Sequence, residues 1–498
     1  MTTERRATPH PTPHPDSHAT THPSRALELR ETVRRVVGGS LPGERSGPPA
    51  QRDLAQLRTL DPGDAPQLWT ESNVHLLEAM LIARVRLDDI EGALALVETH
   101  FTDGRLRTRA VLGLDTLASL FAAVGEAYAA AGRPRDAGLY ASHALMFADS
   151  DPVRYRASAV QTLIFALNGE FDAATTTRAL CDGLARDNGW SPLDTDYALV
   201  LGEVLLAVAA FDADRVARAS GLLRSIAPRD PYAQHAAATA DAITRILHGD
   251  IAAGVAGLRT VIGGAWSHLS HRLVRDLALS VLADATLAQG SARRALSVLD
   301  GRDAAPDHTV CFDAQRAAAH LALGDDRAAL DVTDACLALG AAHCPRTLAG
   351  VLVRRAIARE RRGQADAADD LFDEATALVF HTGGSLAPFV TVPQTSLAVL
   401  FARLASRRPT LAPQIEAVRQ QLRAAVPDTV PAGLPALTPR EGSVAVALRG
   451  GKTYAQIADD FVVSVNTVKS QMRSLFAKLG VSSRNEAIAV LERHGFYL

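Results

Sequence analysis

The sequence predicts an all-α protein in which a long α-solenoid of stacked helix pairs precedes a small four-helix domain. Aromatic residues make up only 5 % of the 498 residues and the hydrophobic fraction is 47 %, which favours helices packed through small residues over a β-sandwich. A helix-ending turn recurs at intervals of 34 to 44 residues. Near the C-terminus, four helix N-caps follow one another in fewer than fifty residues, which is typical of a compact helical domain.

The first 50 residues are expected to be a mostly disordered tail with one short helix near Ser24–Val37. Residues 1–24 are rich in Thr, Pro and His and nearly devoid of apolar side chains, so they cannot bury enough surface to offset the entropy of ordering. Histidines recur every fourth residue, at His10, His14, His18 and His22. The prolines between them disfavour the helix that would place these side chains on one face for a metal.

Residues 51–425 carry the recurring turn. A helix ends at a Gly or a small residue, and an Ala opens the next apolar face five residues later. The clearest copies are Gly132/Ala137, Gly169/Ala174, Gly290/Ala295, Gly324/Ala329 and Gly363/Ala368, with weaker copies at Asp88, Phe211 and Gly249. The Gly supplies a left-handed C-cap, and helix pairs at this period bury their apolar faces by stacking. The stretch resembles tetratricopeptide-like repeats; an irregular helical bundle is the alternative.

A linker and a change of charge mark the C-terminal domain. Three prolines and a glycine lie in Pro427–Pro435, so residues 426–436 are predicted to be a linker and residues 437–498 a separate domain. Residues 430–498 hold 8 Lys and Arg against 5 Asp and Glu, whereas the rest of the chain holds 44 against 50. A basic end on an acidic body indicates nucleic-acid contact at that end.

The helices of this domain are predicted from their caps. The four N-caps are Thr438, Thr453, Ser464 and Ser483, and Glu441, Gln456 and Glu486 lie three residues after the first, second and fourth. In the third helix, Val468, Met472, Leu475 and Leu479 form one apolar stripe with Phe476 beside it. The opposite face carries Asn466, Lys469, Ser470 and Arg473, with Lys478 near the end. Such a helix fits a major groove about 12 Å wide, although a hairpin with a solvated basic face has the same pattern.

The residues themselves resemble the LuxR-type helix-turn-helix family. The resemblance spans Leu437–Phe496 and rests on LTPRE at the first helix, TVK at Thr467–Lys469 and KLGV at Lys478–Val481. It implies a cytoplasmic transcription regulator whose third helix enters the major groove. The same family includes large regulators with helical repeats and an N-terminal ATPase module, and this chain resembles their repeat and DNA-binding portion without that module.

The resemblance also implies roles for individual residues. Lys469, Ser470 and Arg473 fall where the family faces bases or nearby phosphates, and Thr453, Tyr454, Thr467 and Lys478 fall where it approaches the DNA backbone. The chain departs from the family at Tyr454, Ala455 and Gln471. The fourth helix supports homodimers in this family, and its apolar stripe here is Ala487, Ile488 and Leu491. Packing inside the domain is the equally weighted alternative for that stripe.

Other chemistries find little support in the sequence. Gly451-Lys452-Thr453 imitates the end of a phosphate-binding loop, but Val446 stands where that motif needs its first Gly. The cysteines Cys181, Cys311, Cys336 and Cys344 form no CxxC pair. Cys336, His343 and Cys344 lie close together, and we expect buried structural residues there rather than a metal site. No catalytic motif, cofactor site or membrane span is expected.

The sequence thus predicts a regulator that binds double-stranded DNA as a homodimer. Its helical repeats would sense a protein or small-molecule effector through their concave face. The alternatives are an interaction scaffold with a degenerate DNA-binding domain and, less favoured, an enzyme with a pocket in the repeats.

Overall fold

The computed structural model describes residues 22–43, 50–61, 63–226, 230–263, 271–303, 307–425, 437–479, 481, 483–493 and 496. The expected disorder of the first residues up to 21 and the expected linker at 426–436 lie outside these ranges. The described part is helical almost throughout, which confirms the predicted fold class. A helix, α1 (His22–Gly38), lies where the short N-terminal helix was predicted.

Eight helix pairs follow α2 (Gln51–Arg58) within the described residues. The pairs are α3 (Glu71–Arg86) with α4 (Ile90–His100), α5 (Leu114–Ala130) with α6 (Pro134–Phe147), α7 (Asp151–Asn168) with α8 (Phe171–Asp187), α9 (Tyr197–Ala209) with α10 (Ala213–Ile226), α11 (Pro231–Leu247) with α12 (Ile251–Ile262), α13 (Arg272–Ala288) with α14 (Ala292–Val298), α15 (Asp313–Ala322) with α16 (Asp326–Asp331), and, after α17 (Asp334–Ala338), α18 (Pro345–Arg361) with α19 (Ala365–His381). The helices α20 (Gln394–Arg407) and α21 (Ala412–Ala425) complete the stack. Short 3₁₀ turns lie at Pro192–Asp194, Gly340–Ala342, Ala387–Phe389 and Pro409–Leu411.

The turn inside each pair is the turn predicted from the sequence. All eight predicted turn residues have positive φ, between 57° and 90°, as a left-handed C-cap requires. They are Asp88, Gly132, Gly169, Phe211, Gly249, Gly290, Gly324 and Gly363. The five predicted alanines, Ala137, Ala174, Ala295, Ala329 and Ala368, are fully buried. The repeat pattern therefore marks where the second helix of a pair buries a small side chain.

The first helices of successive pairs form an inner layer. Each packs against the next, from α3 through α5, α7, α9, α11, α13 and α15 to α18, and the second helices lie outside them. This inner layer carries charged groups that the sequence analysis did not predict to be buried. Arg86 lies over the ring of Tyr197 at 4.6 Å and pairs with Asp230 at 3.3 Å. Arg156 pairs with both Glu126 and Asp196.

Successive turns of the superhelix contact each other. Three hydrogen bonds join residues 177 to 184 positions apart. The Arg272 amide donates to Asp88 Oδ1 at 2.8 Å, the Thr309 hydroxyl donates to the Gly132 carbonyl at 2.8 Å, and Arg346 Nε donates to the Leu167 carbonyl at 2.9 Å. We call this set of contacts the cross-turn seam. It shows that hydrogen bonds hold successive turns of the solenoid against each other.

Four two-residue strands interrupt the helical pattern in the first repeats. Leu68–Trp69 pairs in parallel with Arg109–Ala110, and Phe101–Thr102 pairs antiparallel with Arg105–Leu106. No strand was predicted, because two residues are too few to show a period-two pattern. None of the helices in the described part is both long enough and apolar enough to cross a membrane.

Candidate nucleic-acid interface

Among its described residues, the C-terminal domain has four helices, each begun by a side-chain cap. They are α22 (Pro439–Arg449), α23 (Tyr454–Asp460), α24 (Val465–Leu479) and α25 (Arg484–Arg493). Thr438 with Glu441, and Thr453 with Gln456, form complete capping boxes. The Ser464 hydroxyl accepts from the Thr467 amide at 3.1 Å, and the Ser483 hydroxyl accepts from the Glu486 amide at 3.2 Å. All four predicted caps are thus confirmed, and they fix where each helix starts.

One face of α24 forms the centre of the domain core. Val468, Met472 and Leu475 are buried together with the apolar faces of α22 and α23, while Leu479 and Phe476 pack at the edge. The predicted stripe is therefore confirmed. Burial of this stripe fixes the rotation of α24 about its own axis, and with it the direction in which the opposite face points.

The opposite face of α24 is open to solvent. Asn466, Lys469, Ser470 and Arg473 are all exposed. Within the described part of the chain, neither Lys469 nor Arg473 forms a salt bridge, whereas other basic side chains of this domain do. Two unpaired cations and two small polar groups on one exposed helical face can contact phosphates and base edges without first breaking internal bonds.

Lys478 differs from these residues, because it is already engaged inside the domain. Its ammonium group lies 2.7 Å from Glu441 Oε2, and the Glu441 side chain is only 6 % exposed. The same carboxylate accepts from the Thr438 amide at 2.7 Å and from the Ser474 hydroxyl at 2.8 Å. Glu441 therefore ties the start of α22 to the last turns of α24. In the sequence Glu441 is recognisable only as a helix cap, and this second role was not predicted.

We expect the stability of this domain to depend on the charge of Glu441. Burial raises the pKa of Glu441, but the bonds from Lys478, Thr438 and Ser474 outweigh it and hold this pKa at about 2, below its usual 4.5. A carboxyl group whose pKa falls on folding stabilises the fold above its usual pKa, and this contribution is lost as the pH falls towards 2. Glu441→Gln should therefore destabilise the domain at pH 7 and match the parent near pH 2.

Amide hydrogen exchange of residues 444–475 in the full chain measures this effect, after correction for the intrinsic exchange rate at each pH. The parent minus variant difference in protection should shrink as the pH falls below about 5. A difference that stays constant with pH would show that the Glu441 charge plays no part.

The predicted backbone-contacting residues of α23 and α24 have mixed surroundings. The Thr453 hydroxyl is exposed at the cap of α23, and Tyr454 is half-buried against the domain core. The Thr467 hydroxyl bonds to that of Ser464 at 2.8 Å. Lys452 pairs with Asp460 at 2.7 Å. The segment Gly451-Lys452-Thr453 joins two helices rather than a strand and a helix, which is inconsistent with a phosphate-binding loop.

The turn between α23 and α24 exposes apolar side chains. Val462 has a φ of 54° and is 91 % exposed, a conformation that β-branched residues seldom adopt. Phe461, Val463 and Val465 are also exposed beside it. At the start of α25, the guanidinium of Arg484 donates to the carbonyls of Leu448 and Lys452 at 2.6 and 2.8 Å. This arginine thus fastens α25 to the C-terminal end of α22.

The expected dimer stripe on α25 needs a correction. Ala487 and Leu491 are fully buried in the core of their own domain, and Ile488 packs at its edge. Buried side chains cannot contact a second copy without unfolding the domain. Of the two roles that the sequence left open, the structure therefore places Ala487 and Leu491 in the core, and only Ile488 of this stripe keeps some exposed surface.

Comparison with known proteins identifies this domain. Residues 435–491 match the family model described as bacterial regulatory proteins, luxR family. This confirms the resemblance of the C-terminal segment and indicates DNA-binding transcription regulation. A search of curated proteins finds no match. Among solved structures, the chain is similar to one described as "Crystal Structure of Rap Protein Complexed with Competence and Sporulation Factor", with 12 % identity, a TM-score of 0.49, and coverage of 72 % of this chain and 98 % of that one.

Proposed function

We propose that this protein is a sequence-specific, DNA-binding transcription regulator whose helix α24 reads the major groove. The observation that supports the proposal most directly is the division of α24 into two faces. Its apolar stripe is buried in the domain, while Lys469 and Arg473 are exposed without ion-pair partners among the described residues. The luxR-family match of residues 435–491 supports DNA as the partner of the exposed face.

The exposed side chains would make different kinds of contact with DNA. Arg473 would donate to guanine O6 and N7, which is the commonest specific contact in the major groove. Lys469 would neutralise a phosphate, with Asn466 and Ser470 supplying hydrogen bonds to bases or backbone. Thr453 and Thr467 stand at the N-terminal ends of α23 and α24, where unpaired amide groups also attract phosphates. Because Lys478 is paired with Glu441, we assign it a smaller contribution.

The binding unit would be a homodimer on a two-fold operator, because a domain of this size reads only a half-site. Since Ala487 and Leu491 are buried in the domain core, the dimer contact would use Ile488 and other exposed surface of α25. We further propose the division into repeats at 51–425 and a DNA-binding domain at 437–498. The regulator would act in the cytoplasm, without enzymatic activity.

The helical repeats would sense a protein or small-molecule effector. Their inner layer carries paired charges and aromatic rings, including Arg86 against Tyr197 and Arg156 against Glu126. These groups are largely buried and already paired, so the support for an effector site is the concave surface that stacked helix pairs form. An interaction scaffold with a degenerate DNA-binding domain is the alternative, supported by the departures at Tyr454 and Ala455.

Replacing Arg473 by Ala should weaken binding to an operator selected by the full-length protein by about 1–3 kcal/mol, or roughly 5- to 150-fold. It should also relax the preference for one base pair, because the bidentate contact is lost. Lys469→Ala should instead weaken binding to all sequences and lower the slope of log K against log salt by about 1. Gel-shift titrations at several salt concentrations measure both effects.

Arg327→Ala is the matched control, since it removes the same charge from an exposed side chain of the repeats. An operator cut to one half-site tests the dimer in the same assay. If Arg473→Ala binds the selected operator as tightly as the parent, α24 is not the reading helix. Weak binding by the parent to every sequence would favour the scaffold.

A further inference from the structure

Four potential metal ligands meet in the second half of the solenoid. His308 and Cys311 lie in the loop before α15, Cys336 lies in α17, and His343 lies just before α18. One ligand atom from each of the four residues falls within 4.8 Å of all the others. Cys311, Cys336 and His343 are buried and His308 is half-buried. The sequence did not predict the cluster, because the ligands occur as His-x2-Cys and Cys-x6-His in different repeats.

Two of the separations between these atoms are those of a tetrahedral site. Cys311 Sγ lies 3.6 Å from Cys336 Sγ, and Cys336 Sγ lies 3.6 Å from His308 Nδ1. A tetrahedron with metal–sulfur bonds of about 2.3 Å has edges of about 3.7 Å. These two separations fit one ion of the size of zinc, and the other separations, at most 4.8 Å, would close by up to about 1 Å for all four atoms to bind it.

His343 is held with one ring nitrogen ready to bind. Its Nδ1 lies 3.0 Å from the carbonyl oxygen of Cys344. A carbonyl can only accept, so Nδ1 carries the proton and the lone pair is on Nε2. That Nε2 is buried and has no hydrogen-bond partner among the described residues. A ligating imidazole usually has this arrangement, with the second nitrogen donating to a carbonyl or carboxylate.

The charge of the cluster also suits a divalent ion. Two thiolates and two neutral imidazoles around a divalent ion sum to zero, which removes the penalty of burying a net charge. The carboxylate of Asp313 lies 3.6 Å from Cys336 Sγ but is paired with Arg316 at 2.6 Å, so we place it outside the ligand set.

We propose that His308, Cys311, Cys336 and His343 bind one structural zinc ion that fastens the cross-turn seam. The ligand-bearing segments are the ones that reach the previous superhelical turn. Thr309 donates to the Gly132 carbonyl, and Cys344 Sγ donates to the Leu167 carbonyl at 3.5 Å. Four protein ligands leave no open position for substrate, so the site is structural rather than catalytic.

Metal analysis of the full chain, purified without chelator and desalted, tests the proposal. The parent should hold about one zinc ion per chain. Cys311→Ser and Cys336→Ser should lose it, whereas Cys344→Ser should keep it. Cys344 is the matched control because it is a buried neighbour of His343 whose sulfur points to the carbonyls of Leu167 and Asn168 instead.

A second experiment adds cobalt(II) to metal-free parent protein, so it does not depend on whether the variants fold. Tetrahedral d–d bands and a thiolate-to-cobalt charge-transfer band should appear at one equivalent, and zinc should displace them. Hydrogen exchange of residues 307–347 and of the turns at Gly132 and Gly169 should slow when zinc is added back. A parent that retains no zinc and gives no charge-transfer band would overturn the proposal. A Cys311–Cys336 disulfide in freshly alkylated protein would also overturn it and show a redox pair instead.

Discussion

Replacing Arg156 by Met should lower the free energy of unfolding by about 3–5 kcal/mol at pH 7, because it removes one partner from a buried ionic network. The Arg156 side chain is 3 % exposed. Its two terminal nitrogens lie 3.1 Å from Asp196 Oδ2 and 3.4 Å from Glu126 Oε2. Without the guanidinium, both carboxylates remain buried in the inner layer and lose their compensating charge.

The loss of stability in Arg156→Met should depend on pH, and the direction of this dependence shows whether uncompensated carboxylates cause it. Burial raises the pKa of Glu126 and of Glu78, and the charge of Arg156 opposes both effects. Without Arg156, these pKa values rise further. A carboxyl group whose pKa is raised by folding destabilises the folded state. This penalty is full at a pH above the raised pKa of the folded state, and it disappears as the pH falls below the usual pKa of the unfolded chain. The gap between parent and Arg156→Met should therefore narrow as the pH falls from 7 towards 4.

Urea denaturation followed by the helical circular dichroism signal measures the effect. Arg178→Met is the matched control, since Arg178 also pairs with two carboxylates, Asp182 and Glu203, but is 37 % exposed. Exposed pairs contribute about 0–1 kcal/mol. Equal losses in the two variants, or a gap that does not change with pH, would contradict the burial of this network in solution.

Local features of the fold could be predicted from the sequence, because their chemistry lies in a few neighbouring residues. A glycine such as Gly132 ends a helix through its own backbone, and Thr438 and Glu441 cap α22 within one turn. The same reasoning gave the buried stripe of α24. Phe211 shows that residue type alone does not predict every such turn. Its φ of 57° places a bulky residue in the left-handed region, where glycine is preferred.

Features that depend on distant packing could not be predicted. The sequence predicted Lys478 to be available for DNA contact. The packing of α24 on α22 instead places it beside Glu441, which is 37 residues away in the sequence. The apolar stripe of α25 has the same pattern whether it packs inside the domain or against a second copy. In the sequence, Arg156 and Glu126 cannot be distinguished from ordinary charged surface residues, because only the stacking of α5 and α7 buries them.

The cross-turn seam is the largest of these long-range features, and Gly169 tests it directly. Its φ is 90°, and a Cβ atom added there would lie 2.6 Å from Arg346 Cβ and 2.8 Å from Arg346 Cα. Gly249 has nearly the same φ, 87°, but a Cβ added there meets no described atom within 4 Å. The two glycines thus share one backbone conformation and differ in what surrounds them.

We expect Gly249→Ala to cost about 1–2 kcal/mol, which is the cost of a left-handed conformation for an L-residue. Gly169→Ala should cost a further 1–3 kcal/mol or so, because the added methyl group overpacks the contact with α18. It should also weaken the bond from Arg346 Nε to the Leu167 carbonyl. Chemical denaturation gives the two losses, and hydrogen exchange of residues 345–350 locates the second. If both variants lose the same stability and α18 stays equally protected, successive superhelical turns do not touch in solution, and a zinc ion at His308–His343 would have no seam to fasten.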